Sequence, residues 1–356
     1  MPFIEGQCMG KGNKTPMIRP TAAAARQNQK KQTSSILDVM VDGREFESIS
    51  GYSITNMNIV SEIRRAISEI EQIRGKKLIC YCANVVNPRI KTSTSIDFDD
   101  NLPFSELVNT LQTNEKDVDV VIITNGGSAQ QVDKFVTKLR HRFDKVSFIL
   151  PSVAMSAGTI FIMSGNEIIM TEDSVFGPID PQIPNKEGRY VPAQAILTLL
   201  NTIQLRGEEN IKNHLPPMWS DLEILRNLDH KDLGAAMTAS AYCIQLVTNY
   251  LTNYKFSTWV THSNGVPVTQ KEKEDRAEEI AGLLCDHATW KSHASAINRD
   301  TAETKCMLEI VHAEQITGLD RAIRRFNVLF HWLFENTAIA KAYISDDYCI
   351  IRSDKI

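Results

Sequence analysis

Between residues 77 and 171, short unbroken apolar runs rich in β-branched residues alternate with stretches whose apolar residues recur at helical spacing. No other feature of the chain constrains the fold as strongly. The runs 77–83, 118–124, 145–150 and 167–171 predict strands buried on both faces. The segments 104–111, 130–142 and 156–163 predict helices between them. A further helix, carrying Ile59, Ile63, Ile67 and Ile70 and closed by Gly75, precedes the first strand. Repeated β-α-β units of this kind assemble into a parallel sheet with right-handed crossovers.

Beyond Pro192 the pattern turns helical, over about 193–205, 222–228, 233–251, 271–284, 301–311 and 319–340. The expected organisation is a flexible basic arm over 1–35, an α/β core over 36–205, a helical arm over 206–305 that completes it, and a C-terminal helical extension over 306–356. Within the extension, the stripe from Leu319 to Leu333 starts with three arginines and ends in Phe330 and Trp332. It reads equally as a subunit contact or lid and as ordinary packing on its own domain.

Charge and cysteine usage narrow the class. The 356 residues carry a net charge of −4, which speaks against nucleic acid as the main partner. That balance conceals an uneven distribution, a net +5 over residues 1–35 and −9 over the rest. The seven scattered cysteines suit reduced thiols in a cytoplasmic protein. Cys80 and Cys82 would share one strand face, but no second pair with ligand spacing accompanies them, so a buried strand is the plainer reading and no metal is expected. Glu5, Gln7 and Lys11 interrupt any signal-peptide pattern, and polar residues break the most apolar stretch, 146–170, so no membrane span is expected. Gly10-Lys11-Gly12-Asn13-Lys14-Thr15 lacks the spacing of a phosphate loop.

Two glycine-containing turns then stand out. Thr124-Asn125-Gly126-Gly127-Ser128 follows one predicted strand, and Pro151 to Thr159 follows the next, with Ser156 only 29 residues after Gly127. In a parallel sheet both lie at the carboxyl ends of strands, where open α/β sheets bind ligands. A serine at a helix start supplies a nucleophile, and a Gly-Gly turn offers unobstructed N–H groups. Acyl transfer needs both, because attack on a carbonyl generates an oxyanion. Ala154-x-Ser156-x-Gly158 also approximates a nucleophile elbow, with small residues permitting a tight strand-to-helix turn. Such small residues equally let a helix approach a sheet, and the nearby Gly-Gly turn favours the catalytic reading.

The run from Val120 to Gly127, then Met155-Ser156-Ala157-Gly158-Thr159, then Gly177-Pro178-Ile179-Asp180-Pro181-Gln182, resembles the serine dehydrogenase proteinase family, Clp/crotonase-fold serine proteases related to signal-peptide peptidase A. The resemblance covers roughly residues 55–200 and resumes around Trp290-Lys291-Ser292-His293. It implies a Clp protease/crotonase-type α/β core with added helical segments. It further implies Ser156 as nucleophile, an oxyanion hole at Gly126, Gly127 and Ala157 with the donors from Gly127 and Ala157, and a homo-oligomer acting on a protein or peptide substrate. No cofactor is implied, and with no Walker motif any ATP-driven unfolding would need a separate partner protein.

Two departures from the family pattern matter. Asn125 stands where relatives often have proline, and Thr198 appears where family members tend to have a lysine. A threonine cannot take the serine proton as a lysine of lowered pKa can. Lys186 and His293 are the substitute bases, and Asp180 reads as support for the site. The alternatives are a Clp-fold assembly or binding module that has lost its base, a crotonase-like acyl-thioester enzyme that needs no serine, and an α/β-hydrolase, which would leave the Gly126-Gly127 turn unexplained.

Overall fold

The computed structural model describes residues 35–53, 55, 57–184 and 188–354. Residues 1–34 of the expected arm, with its glycine-lysine segment, and Lys186 lie outside the described residues.

Asn58 caps the first long helix, Ile59–Arg74, by accepting a hydrogen bond from the Ser61 N–H. Gly75, at φ 65°, ends it in the left-handed conformation that glycine adopts without steric penalty. The chain then enters strand Lys77–Ala83, an inner strand of a seven-stranded sheet. Strands Asp117–Ile123, Lys145–Leu150 and Glu167–Met170 follow on one side in parallel register, with Cys80 beside Val121 and Val121 beside Ile149. The short strand Val311–His312 extends that edge, also parallel. These are the βα units expected from the alternating pattern, and the fold is α/β.

Period-two alternation assigns each strand residue to a face. Ile79, Tyr81, Val120, Ile122, Phe148 and Leu150 pack with the helices Asn101–Thr110, Ala129–Arg142, Ala157–Ile162, His230–Asn253 and Gln270–Cys285. Leu78, Cys80, Cys82, Val121, Ile123 and Ile149 pack on the other face, against Ile59–Arg74 and Leu319–Asn336. Cys80 and Cys82 are therefore fully buried thiols on one strand face, and burial pushes both well above the usual thiol range.

The C-terminal region departs from its helical expectation. Residues 306–356 are helical over Leu319–Asn336, but Ile339–Ile344 and Cys349–Ser353 are strands that pair antiparallel to the sheet beside Lys77–Ala83. Alanines and a lysine give Ile339–Ile344 a helical local preference, and long-range pairing overrides it. The stripe on Leu319–Asn336 is ordinary core, with Phe326, Phe330 and Trp332 buried in the chain's own interior rather than offered to a partner.

Lys341, on the first of these strands, is almost wholly buried. Its Nζ donates to the Ser95 carbonyl at 2.6 Å, to Asp100 Oδ1 at 2.6 Å and to Asp97 Oδ2 at 3.3 Å. The Tyr81 hydroxyl donates to the other Asp100 oxygen at 2.8 Å. This buried network fixes the 95–100 segment, which reaches the candidate site.

Candidate active site

The two glycine-containing turns lie side by side at the carboxyl ends of their strands. The Thr124 N–H donates to the Val153 carbonyl and the Met155 N–H donates to the Thr124 carbonyl, each at 3.0 Å, so the chain before Ser156 is stitched to the chain before Gly126. Gly158 permits the approach: a Cβ there would meet Thr124 Cγ2 at 2.5 Å. Gly126, at φ 98°, abuts the serine itself, and a Cβ on it would lie 2.7 Å from Ser156 Cβ.

Ser156 forms the turn from the short strand Val153–Ala154 into helix Ala157–Ile162 with φ 51° and ψ −116°. For a residue other than glycine this backbone costs roughly 1–3 kcal/mol. It is the conformation that lifts a nucleophile off a tight strand-to-helix turn. The Ser156 side chain makes no cap hydrogen bond to the helix that it opens.

Gly127 pairs with Ile96 across a parallel bridge in which Ile96 donates to the Gly126 carbonyl and Ser128 donates to the Ile96 carbonyl, both at 2.8 Å. That pattern turns the Gly127 N–H to the opposite side. Ala157 is the first residue of its helix, so its N–H has no acceptor within the helix. Both residues line a cavity of about 590 Å³ together with Ser156, Ile160, Ile179, Tyr242, Cys243 and His293. Burial pushes the Cys243 thiol up to about 12, so this part of the wall stays neutral.

Asp180 reaches the site through the second signature string. Strand Val175–Phe176 pairs with Val153–Ala154, and Thr159 ties the two together: its hydroxyl lies 2.9 Å from the Ala154 carbonyl and 2.8 Å from that of Gly177, and accepts the Gly177 N–H at 3.1 Å. The Ile179 N–H donates to the Leu284 carbonyl at 2.9 Å, which fastens the next residue, Asp180, against the helical arm. The Asp180 side chain is wholly buried. His293 Nδ1 stands 2.7 Å from one of its oxygens and His287 Nδ1 stands 3.3 Å from the other.

Local turn chemistry sets both histidines. Asp286 caps helix His287–Trp290 through the N–H groups of Ala288 and Thr289, and Lys291, at φ 64°, closes it. The Ser295 hydroxyl then holds the Trp290 carbonyl at 2.6 Å, which shapes the loop carrying His293. A carboxylate oxygen facing each Nδ1 favours the tautomer in which Nδ1 is the donor, and in a neutral imidazole that leaves Nε2 of His293 as the acceptor.

Of the residues singled out in the sequence, Gly126, Gly127, Ser156, Ala157 and His293 line one cavity, and Asp180 stands directly behind His293. Thr198 is exposed on helix Ala193–Lys212 and does not line the cavity. Among the described residues no hydrogen bond joins the Ser156 hydroxyl to His293. Such bonds are often long before substrate binds. Sequence reasoning overlooked His287, six residues before His293 and on the other side of the same carboxylate. A histidine opening a capped single-turn helix, six residues before a second histidine, was the available signal.

A family model described as ClpP-like SDH-type serine proteinase matches residues 50–214. Two uncharacterized proteins of Methanocaldococcus jannaschii are similar to this chain. One is 32% identical over 138 residues, 37% of this chain and 44% of that protein. The other is 35% identical over 83 residues, 23% of this chain and 27% of that protein. The matched stretches thus span less than half the length of these relatives. Among solved structures, the 1510-N membrane-bound stomatin-specific protease aligns at 14% identity with a TM-score of 0.35. Its lysine-to-alanine mutant with a substrate peptide and its serine-to-alanine mutant each cover 66% of this chain, and 75% and 80% of their own. The stretch that matches the ClpP-like SDH-type serine proteinase family model, residues 50–214, carries Gly126, Gly127, Ser156 and Asp180.

Proposed function

We propose that the chain hydrolyses peptide bonds through an acyl-enzyme on Ser156, with His293 as general base and Asp180 as the group that orients it. The observation that carries this reading is the 2.7 Å contact between His293 and a fully buried Asp180, in a cavity wall that His293 shares with Ser156. In the reaction, Asp180 holds the Nδ1–H, Nε2 takes the Ser156 proton, and Oγ attacks the substrate carbonyl. The N–H groups of Gly127 and Ala157 receive the developing oxyanion, a contribution worth roughly 10²–10³ in rate per donor in comparable sites. The imidazolium then protonates the leaving amine, and water activated by the same nitrogen releases the acyl group.

A histidine paired with a carboxylate replaces the lysine that the family resemblance would have supplied at Thr198. An imidazole can serve as a base near neutral pH without the strong desolvation that a lysine requires. Labelling with a fluorophosphonate tests the reading: Ser156 is expected to be modified, and both Ser156→Ala and His293→Ala to prevent it. An assembly module without catalysis is the second reading, favoured by the exposed threonine at position 198. It predicts a folded chain that never reacts.

The helical arm supports self-association. Leu205, Ile211, Leu215, Trp219 and Met237 are all more than half exposed, Trp219 at 81%. Large apolar side chains left exposed along one stretch of chain, here across three successive helices and a loop, commonly mark an interface where they adjoin. A homo-oligomer in which a neighbouring copy covers it is the proposed state. Among the described residues no helix is long and apolar enough to cross a membrane.

A further inference from the structure

Asp180 is unusual in having a separate imidazole on each carboxylate oxygen, His293 on Oδ1 and His287 on Oδ2, while the carboxylate itself has no exposed surface. A carboxylate removed from water needs donors for both oxygens, and leaving one unsatisfied costs about 1–3 kcal/mol or more. With a single donor it can rotate about its Cβ–Cγ bond. That rotation would release the His293 ring. Cys243 and Cys285 approach the same carboxylate closely enough for its charge to raise their pKa, behind the larger effect of burial. Both thiols therefore stay neutral, and among the described residues the two histidines are the hydrogen-bond donors to Asp180.

We propose that His287 is a positioning residue of the hydrolytic site: by holding Oδ2 it fixes the plane of Asp180, and so the orientation of the His293 ring toward the cavity. His287 is absent from the cavity lining and acts only through Asp180. This inference rests on the reading of Ser156, His293 and Asp180 as the reacting set. It predicts that what matters at position 287 is one N–H donor at the place of Nδ1, not the imidazole or its titration.

The test compares His287→Asn, which keeps such a donor, with His287→Leu, which fills the space without one. The full chain is used, and the saturation kinetics of a fluorophosphonate probe separate the maximal acylation rate from the half-saturating concentration. The expected result is a fall of roughly 10–100-fold in the maximal rate for His287→Leu, the range in which outer hydrogen-bond partners of an orienting group act. The half-saturating concentration should be unchanged, and His287→Asn should recover most of the rate. His287→Ala replaces His287→Leu if the latter fails to fold. Equal rates for the donor-bearing and donor-free variants overturn the inference. If His293→Ala reacts as fast as the unaltered chain, the reading beneath it fails instead.

Discussion

Nδ1 of His293 lies 2.7 Å from Oδ1 of Asp180, although the two residues are 113 positions apart in the chain. The strand-and-turn geometry after Ser156 brings the carboxylate to the site, and the capped turn after Gln270–Cys285 brings the imidazole. Asp180→Asn retains the shape but can offer an acceptor oxygen to only one of its two imidazoles, and with its amide N–H on Nδ1 of His293 the proton is forced onto Nε2 and the basic lone pair is lost. Acylation of Ser156 is expected to fall by about 10⁴-fold, as for the equivalent change in other serine hydrolases, with melting temperature changed little. Fluorophosphonate kinetics and thermal denaturation measure the two effects.

The Gly-Gly turn admits no side chain. At Gly127, φ is 147°, and an added Cβ would lie 2.3 Å from the Ile96 carbonyl oxygen and 2.5 Å from its nitrogen. Gly127→Ala must push the turn away from Ile96 and carry the oxyanion donor with it. A loss of stability of roughly 1–3 kcal/mol is expected from overpacking, read from urea unfolding, together with a fall in acylation of about 10²-fold or more.

The ion pair between Lys341 and Asp100 is buried on both sides, with 1% and 0% side-chain exposure. Removing one partner strands the other charge. Lys341→Met is expected to destabilise the chain by about 3–5 kcal/mol, and Lys341→Met combined with Asp100→Asn by less than the sum of the single changes. Denaturant titrations of the three variants check the coupling. Because Lys341 fastens Ser95, next to the Ile96 that pairs with Gly127, the single variant should also slow acylation.

Trp219 and Ile211 are 81% and 73% exposed on the helical arm. If a second copy covers them, Trp219→Asp combined with Ile211→Glu will shift the mass seen in sedimentation toward the monomer without altering the circular dichroism of the chain. An unchanged mass would assign these side chains to another role.

Much of this was legible because it is local. The β-branched run before Thr124 gives strand Asp117–Ile123, the run before Pro151 gives Lys145–Leu150, and the glycines and Ser156 fall on the turns that follow. Two matters were not local. Ile339–Ile344 carries a helix-compatible sequence and becomes a strand between Cys349–Ser353 and the distant Lys77–Ala83, 258 positions away at Ala83 and Lys341. The partnership of Asp180 with His293 and His287 likewise depends on how the helical arm returns to the sheet, which no spacing along the chain encodes.

The most direct measurement is mass-spectrometric mapping of the fluorophosphonate adduct on the full chain. The account predicts one adduct on Ser156, formed slowly or not at all in His293→Ala and Asp180→Asn and lost in Ser156→Ala. A folded chain that forms no adduct on Ser156 at any pH at which it stays folded, or one that Ser156→Ala leaves equally labelled, would contradict it.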